Sequence, residues 1–99
     1  MWDLFISSAS ETDMAKAALW YEKQRPGLGA AFVEEVEVVL NTLRRDPLRF
    51  RIHYAAQKVR RILTRQFPCH VCYYLDANTV RVFAIVHAAR HERAWKSRL

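Results

Sequence analysis

The residues most capable of chemistry crowd into the last third of the chain. Lys58–Leu99 reads KVRRILTRQFPCHVCYYLDANTVRVFAIVHAARHERAWKSRL, with arginines and histidines spaced along three strand-like runs. Arg61 and Arg65 are four positions apart, an even offset that puts both on one face of a strand, while Arg60 points the other way. His70 and His87 fall on the neighbouring runs, and Arg90 lies just beyond. Guanidinium groups and imidazoles gathered on one open sheet can grip phosphates and move protons. The plain alternative is a solvated basic face, whose isolated histidines merely titrate near neutrality.

Other motifs carry less. Cys69-His70-Val71-Cys72 has C-x-x-C spacing, which suggests zinc or redox chemistry when it sits in a tight turn or at a helix start. Here it falls inside a strand pattern, where residues i and i+3 point to opposite faces. No second C-x-x-C or ordered histidine pair completes four ligands. Two free thiols, buried or half-buried, are expected, with no metal and no cofactor. Gly27-Leu28-Gly29 lacks a third glycine and follows a helix rather than a strand, so no dinucleotide site is expected. Trp95 stands in a basic tail. It either folds back onto the sheet as an anchor or serves as a contact hot spot, a role for which Trp and Arg are favoured.

The charge layout is lopsided. Residues 1–43 hold three Lys/Arg against seven Asp/Glu, whereas residues 44–99 hold thirteen against three. An acidic scaffold carrying a basic working surface is implied, with a polyanion or an acidic protein as counterpart. Ninety-nine residues, 52% hydrophobic and 26% charged, suit one compact domain spanning 1–99 and argue against disorder. The longest apolar run, near Val82–Val86, is far below the roughly 20 residues of a bilayer span. The start, MWDLFISS, has an acid where a signal peptide has lysines. A cytoplasmic protein is expected.

The positioning elements follow from periodicity. Trp2–Ser7 has strand character. Ser8 with Glu11, or Ser10 with Asp13, fits a capping box for a helix reaching about Arg25, buried through Met14, Ala17, Ala18 and Tyr21. Pro26-Gly27 ends it. A second helix over about Leu28–Arg45 repeats Phe32, Val36, Val39, Leu40 and Leu43, with Glu34, Glu35 and Glu37 on its wetter side. Residues 48–57 show no period and read as a loop. Val59–Gln66, Cys69–Leu75 and Val80–His87 read as strands, and Asp76–Thr79 as the turn between the last two. Val80, Val82, Ala84 and Val86 alternate strictly and predict one buried face. The expected fold is α+β. An antiparallel helix hairpin packs on one face of a four-stranded, mainly antiparallel sheet in the order β-α-α-β-β-β, with a basic C-terminal tail.

A family pattern runs through these elements. It comprises Trp20-Tyr21-Glu22, Pro26 to Phe32, Asp46-Pro47, Val59-Arg60-Arg61, Phe67-Pro68, Tyr73-Tyr74 and Val86 to Arg90, then Trp95 and Arg98. In joint order and spacing these residues resemble the RelE/ParE superfamily of toxins from bacterial type II toxin–antitoxin modules, most closely the ParE, or plasmid-stabilisation, branch. The resemblance implies one of two actions. ParE-like members inhibit DNA gyrase and block replication. RelE-like members are ribosome-dependent mRNA endonucleases with basic residues on the sheet and an aromatic hydroxyl near the C-terminus. Both are neutralised by an antitoxin whose C-terminal segment wraps the toxin.

This chain departs from the RelE-like pattern. It has His70 where arginine tends to stand, Leu63 where a second basic residue does, and Trp95 where a tyrosine does. An indole cannot exchange a proton as a phenol can. The leading expectation is a gyrase inhibitor that acts by binding through Arg61, Arg65, Arg90, Arg93, Trp95 and Arg98. The alternative is a metal-independent endoribonuclease using Arg61 and Arg90 on the phosphate, with His70 or His87 as acid–base groups and His91 also available. A third reading is an inactive toxin retained as an antitoxin binder. In every case an acidic, partly apolar antitoxin segment is expected near Tyr21, Phe32 and Val36, folding as it binds and giving a toxin–antitoxin hetero-oligomer.

Overall fold

The computed structural model describes residues 1–90 and 92–99; His91 lies outside them. The elements are β1 (Asp3–Ile6), α1 (Ser8–Gln24), α2 (Leu28–Arg45), a 3-10 turn (Pro47–Arg49), β2 (Ile52–Tyr54), β3 (Val59–Leu63), β4 (Cys69–Asp76), β5 (Thr79–His87) and α3 (Arg93–Lys96). The fold is α+β, as expected. The sheet has five strands in the order β1-β5-β4-β3-β2, not four. It is mixed, because β1 runs parallel to β5, with Asp3 opposite Thr79 and Ile6 opposite Val82. The remaining pairs are antiparallel. The extra strand, β2, falls inside the stretch expected to be a loop. Three residues are too few to show a period of two, and the register shifts between Ile52 and Tyr54.

The helices are held by local hydrogen bonds as well as by burial. Ser7, in extended conformation, caps α1 by accepting from the Ser10 amide at 3.1 Å. The cap is therefore one residue ahead of Ser8 and three ahead of Ser10, the two positions expected. Ser10 and Asp13 serve the sheet instead. Ser10 Oγ donates to the Val82 carbonyl at 3.3 Å, and Asp13 Oδ2 accepts from the Ile85 amide at 3.0 Å. These are edge groups of β5 where the short β1 runs out. At the hairpin, Gly27 has φ 94, the left-handed region that glycine tolerates. The Glu22 carboxylate accepts from the Gly27 and Gly29 amides at 3.0 Å, so α1 supplies the N-terminal cap that α2 lacks.

The main core lies between the hairpin and the sheet. Phe32, Val36 and Leu43 meet Val71, Tyr73, Val80, Val82 and Ile85 there, and the stripe Met14, Ala17, Ala18 and Tyr21 packs against it. Tyr73 donates its hydroxyl to the Pro47 carbonyl at 2.6 Å inside this core.

The strict alternation expected along β5 breaks at Phe83. Cys72 faces Ala84 while Tyr73 faces Val82, which leaves Phe83 as an extra residue. Such a bulge reverses the faces beyond it. Val80, Val82 and Ile85 therefore point to the helices, whereas Phe83, Ala84 and Val86 point away. The second face is not bare. Trp95, 2% exposed, folds back from α3 onto Val59, Cys72, Phe83, Ala84 and Val86. Among the described residues no helix is long and apolar enough to cross a membrane.

Candidate functional site

The tail side of the sheet brings together Arg61, His70 and a histidine that the sequence did not single out, His53. Arg61 sits opposite Cys72 and His70 opposite Leu63 on the paired strands β3 and β4. Both side chains thus project from the face away from the hairpin. Arg61 Nη1 lies 3.3 Å from His70 Nδ1. Burial, then the Arg61 charge, then His53 hold the His70 ring below its ordinary pKa. His53, on β2, is lowered by burial and next by Arg61. Its ring is 6.1 Å from Trp95, edge to face. Two neutral imidazoles flanking a permanent cation form a site able to hold an anion and exchange a proton. His53 escaped notice because it belongs to the aperiodic stretch.

His87 and Arg90 are elsewhere. His87 is opposite Cys69, whose side chain joins the core under the hairpin, so His87 ends the helix-side face of β5. Its Nδ1 accepts from the Ala89 amide at 3.0 Å. With Arg90 and Lys16 it borders a groove of about 490 Å³ between α1 and β5, walled by Ala17, Trp20, Tyr21 and Ile85. The four residues expected to act together as a nuclease are split into two pairs on opposite faces.

Arg65 is separated again. The even-offset rule fails for it because β3 ends at Leu63. Thr64 turns inward, its amide donating to the Cys69 carbonyl at 2.9 Å and its hydroxyl to the Phe67 carbonyl. The turn is clamped to α2 by Glu35, whose carboxylate accepts from the Gln66 amide at 2.9 Å and the Phe67 amide at 3.1 Å. Arg65 lies in this turn, over a shallow depression lined by Glu34, Glu35 and Glu37. Arg61, Arg65 and Arg90 therefore occupy three different regions, and the single cationic grip expected of them is absent.

Two other expected contact residues are engaged within the fold. Arg98 makes a two-pronged ion pair with Asp13, at 2.6 and 2.9 Å, and donates to the Phe83 carbonyl at 3.0 Å. Trp95 is buried against Tyr54 and Phe83, the anchor outcome of the two foreseen. Arg93 is exposed at the start of α3. Of the three residues expected to line a partner groove, Phe32 and Val36 are fully buried core residues, and Tyr21 alone borders the groove beside α1. Helical spacing could not separate the two roles, because core and groove share one stripe.

The cysteines point to opposite faces. Cys69 belongs to the core under the hairpin and Cys72 to the one under Trp95. Burial pushes their thiols up to about 11 and about 12 respectively. Both are poor nucleophiles at neutral pH.

Comparison with solved structures places this architecture. Over 88% of this chain and 96% of the other, it superposes on a chain of the chromosomal ParDE TA system from P. aeruginosa, at TM-score 0.78 and 13% identity. Over 98% and 95% it superposes on the isolated E. coli RelE toxin, at TM-score 0.65 and 15% identity. The chain has the RelE/ParE toxin fold. No family model and no curated protein matches its sequence.

Proposed function

We propose that this chain is the toxin of a type II toxin–antitoxin module, a ParE-like inhibitor of DNA gyrase that acts in the cytoplasm and is neutralised by a cognate antitoxin. The observation that carries the reading is the near-complete superposition on the ParDE chain, at TM-score 0.78. Action by binding is favoured by the split of His70 and His87 onto opposite faces, which leaves no site where all four nuclease candidates meet. Arg61, Arg65, Arg90 and Arg93 supply charge toward the target, whereas Trp95 and Arg98 contribute by shaping the tail. The antitoxin segment is assigned to the groove between α1 and β5. Ala17, Tyr21 and Ile85 offer it an apolar floor, and Lys16 and Arg90 attract acidic side chains. The test is a gyrase supercoiling assay with purified protein. Inhibition or a trapped cleaved complex is expected, reversed by the antitoxin. Normal supercoiling at micromolar protein refutes the gyrase target.

One observation favours a second reading, a metal-independent endoribonuclease acting on translated mRNA. Arg61 and His70 are in contact and His53 is beside them. In that reading the guanidinium stabilises charge on the phosphate and an imidazole handles the proton. Primer extension on translated mRNA tests it. Cleavage that disappears in His70→Ala would favour this reading, whereas unchanged toxicity of that variant removes it.

A further inference from the structure

We infer that the solvent face of α2 pairs antiparallel with the same face of a second copy of this chain, in a weak two-fold dimer that sets Glu34 of each copy against Arg45 of the other. The inference does not rest on the proposed target. No residue of this face lines the groove assigned to the antitoxin.

The buried stripe of α2, with Phe32, Val36, Val39, Leu40 and Leu43, occupies one side of the helix. On the opposite side Glu34, Val38, Asn41 and Arg45 are all exposed. Their spacings of four, three and four are those of a coiled-coil seam. Glu37 and Arg44 flank it. The seam changes sign along its length. Glu34 and Glu37 stand in its first half and Arg44 and Arg45 at its end, with Val38 and Asn41 between. Among the described residues, Glu34, Glu37 and Arg45 make no ion pair. Val38 is 65% exposed, an apolar side chain with no core to join. The helix dipole does not account for the acidic half. Its pull is confined to the first turn, which holds no acid, and Glu34 and Glu37 lie beyond it.

This polarity selects the occupant. A polyanion is repelled by the first half of the face and a basic segment by the second. An antiparallel copy matches both halves at once. The pair Glu34 and Arg45 is centred on the same point of the helix as the pair Val38 and Asn41. One register therefore sets Glu34 against Arg45 and Val38 against Asn41, and a two-fold axis at that point repeats each contact. The contact spans about 16 Å of helix, some three turns. Two shallow depressions meet at Val38 and Asn41, one bordered by Met1, Arg44 and Arg45, the other by Ala31, Glu35 and Arg65. Ridges of a second helix seat in such grooves. Arg65 borders the acidic end, and the Glu35 carboxylate is held by the Gln66 and Phe67 amides. Glu34 and Glu37 together keep that end acidic.

Exposed ion pairs are weak and screened by salt, and one valine per copy adds little, so the dimer is half formed at roughly 100 μM at low ionic strength. In the low micromolar range the chain is a monomer.

Sedimentation equilibrium of the full chain, from about 10 μM to 1 mM, tests the pairing. The parent chain is expected to dimerise at low salt and to be monomeric at about 0.5 M salt. Glu34→Arg sets arginine against arginine, and Arg45→Glu sets glutamate against glutamate. Each variant alone is expected to self-associate at least about tenfold more weakly than the parent chain. Mixed in equal amounts, the two variants bring opposite charges together at both contacts and should associate as the parent does. The double variant Glu34→Arg/Arg45→Glu exchanges the charges within one chain and should recover in the same way. Both positions are exposed, and helical circular dichroism checks that each variant folds. A parent chain still monomeric at about 1 mM in low salt overturns the pairing. Single variants that dimerise like the parent, or a mixture and a double variant no better than the single variants, overturn it as well.

Discussion

Arg61 and His70 meet across the β3–β4 pair, guanidinium Nη1 to imidazole Nδ1, at 3.3 Å. An arginine side chain offers only donors, so Nδ1 must be the acceptor and the ring proton sits on Nε2. Burial first and the Arg61 charge next hold the His70 ring below its ordinary pKa, with its remaining N–H directed away from the arginine. His53 is biased to the neutral form by the same cation.

A pH dependence of stability follows from these two rings. Both have folded pKa values below the ordinary 6.5, chiefly through burial. Between the folded and unfolded values the unfolded chain binds more protons, so stability rises with pH through that window. It is complete above about pH 6.5 and declines as the solution is acidified below it. The urea midpoint is expected to be lower at about pH 5 than at about pH 8, and His70→Gln should flatten the difference. NMR titration should place the His70 midpoint below that of a free imidazole. A midpoint at or above the ordinary value contradicts the Arg61 contact.

Gly29 fixes how closely the two helices approach. A Cβ built there would stand 2.6 Å from the Ala18 carbonyl and 3.2 Å from Glu22 Cβ. Backbone cannot yield as a flexible side chain can, so Gly29→Ala forces α1 and α2 apart. The expected loss is about 1–3 kcal/mol in equilibrium urea unfolding. Gly29→Ala matching the parent chain would mean the hairpin is looser than its geometry indicates.

Glu35 is more than a solvated acid on the wet side of α2. Its carboxylate receives the Gln66 and Phe67 amides and pins the turn that redirects the chain from β3 to β4. Glu35→Ala removes the acceptor from both donors at once. A destabilisation of about 1–3 kcal/mol is expected, with faster amide exchange at Gln66 and Phe67. Glu34→Ala, one position away and exposed, serves as the control and should change stability by less than about 0.5 kcal/mol.

The contrast between Glu34 and Glu35 shows where sequence reading reaches its limit. Helix periodicity placed the hairpin correctly because Phe32, Val36, Leu40 and Leu43 recur with the spacing that burial demands. The last two strands were legible from their strand-like runs and from the Asp76–Thr79 turn, although the alternation expected along β5 holds only as far as Val82. Three features were not. β2 is shorter than one repeat of its own pattern, so His53 stayed hidden in an apparent loop. The bulge at Phe83 depends on the register of β4 against β5, a relation between two segments that neither carries alone. The same non-locality applies to the basic residues. Arg61 and Arg65 share a face only if the strand continues to residue 65, and Thr64 ends that continuity by bonding within the turn. Charge composition revealed that the second half was basic, but not that Arg98 would be neutralised by Asp13 from the acidic half.

An alkaline limit to stability comes from the buried acids. Burial pushes Cys69 up to about 11, and Cys72 and Tyr73 up to about 12, against unfolded values of 9.0 for the thiols and 10.0 for the phenol. In this range the folded chain holds the protons longer, so stability falls as pH rises through each unfolded value. The decline should begin near pH 9 with the thiols and steepen near pH 10 with Tyr73. Tyr73→Phe separates the phenol from the thiols. At neutral pH it removes the 2.6 Å bond to the Pro47 carbonyl and leaves that buried acceptor without its partner, a loss of about 1–3 kcal/mol. Above about pH 10 the gap between Tyr73→Phe and the parent chain should narrow, because only the parent must keep a phenol protonated. Urea midpoints collected from about pH 7 to pH 11 measure both effects. A gap that stays constant across that range would mean the Tyr73 hydroxyl ionises as readily in the folded chain as in the unfolded one, and would overturn the burial-driven rise.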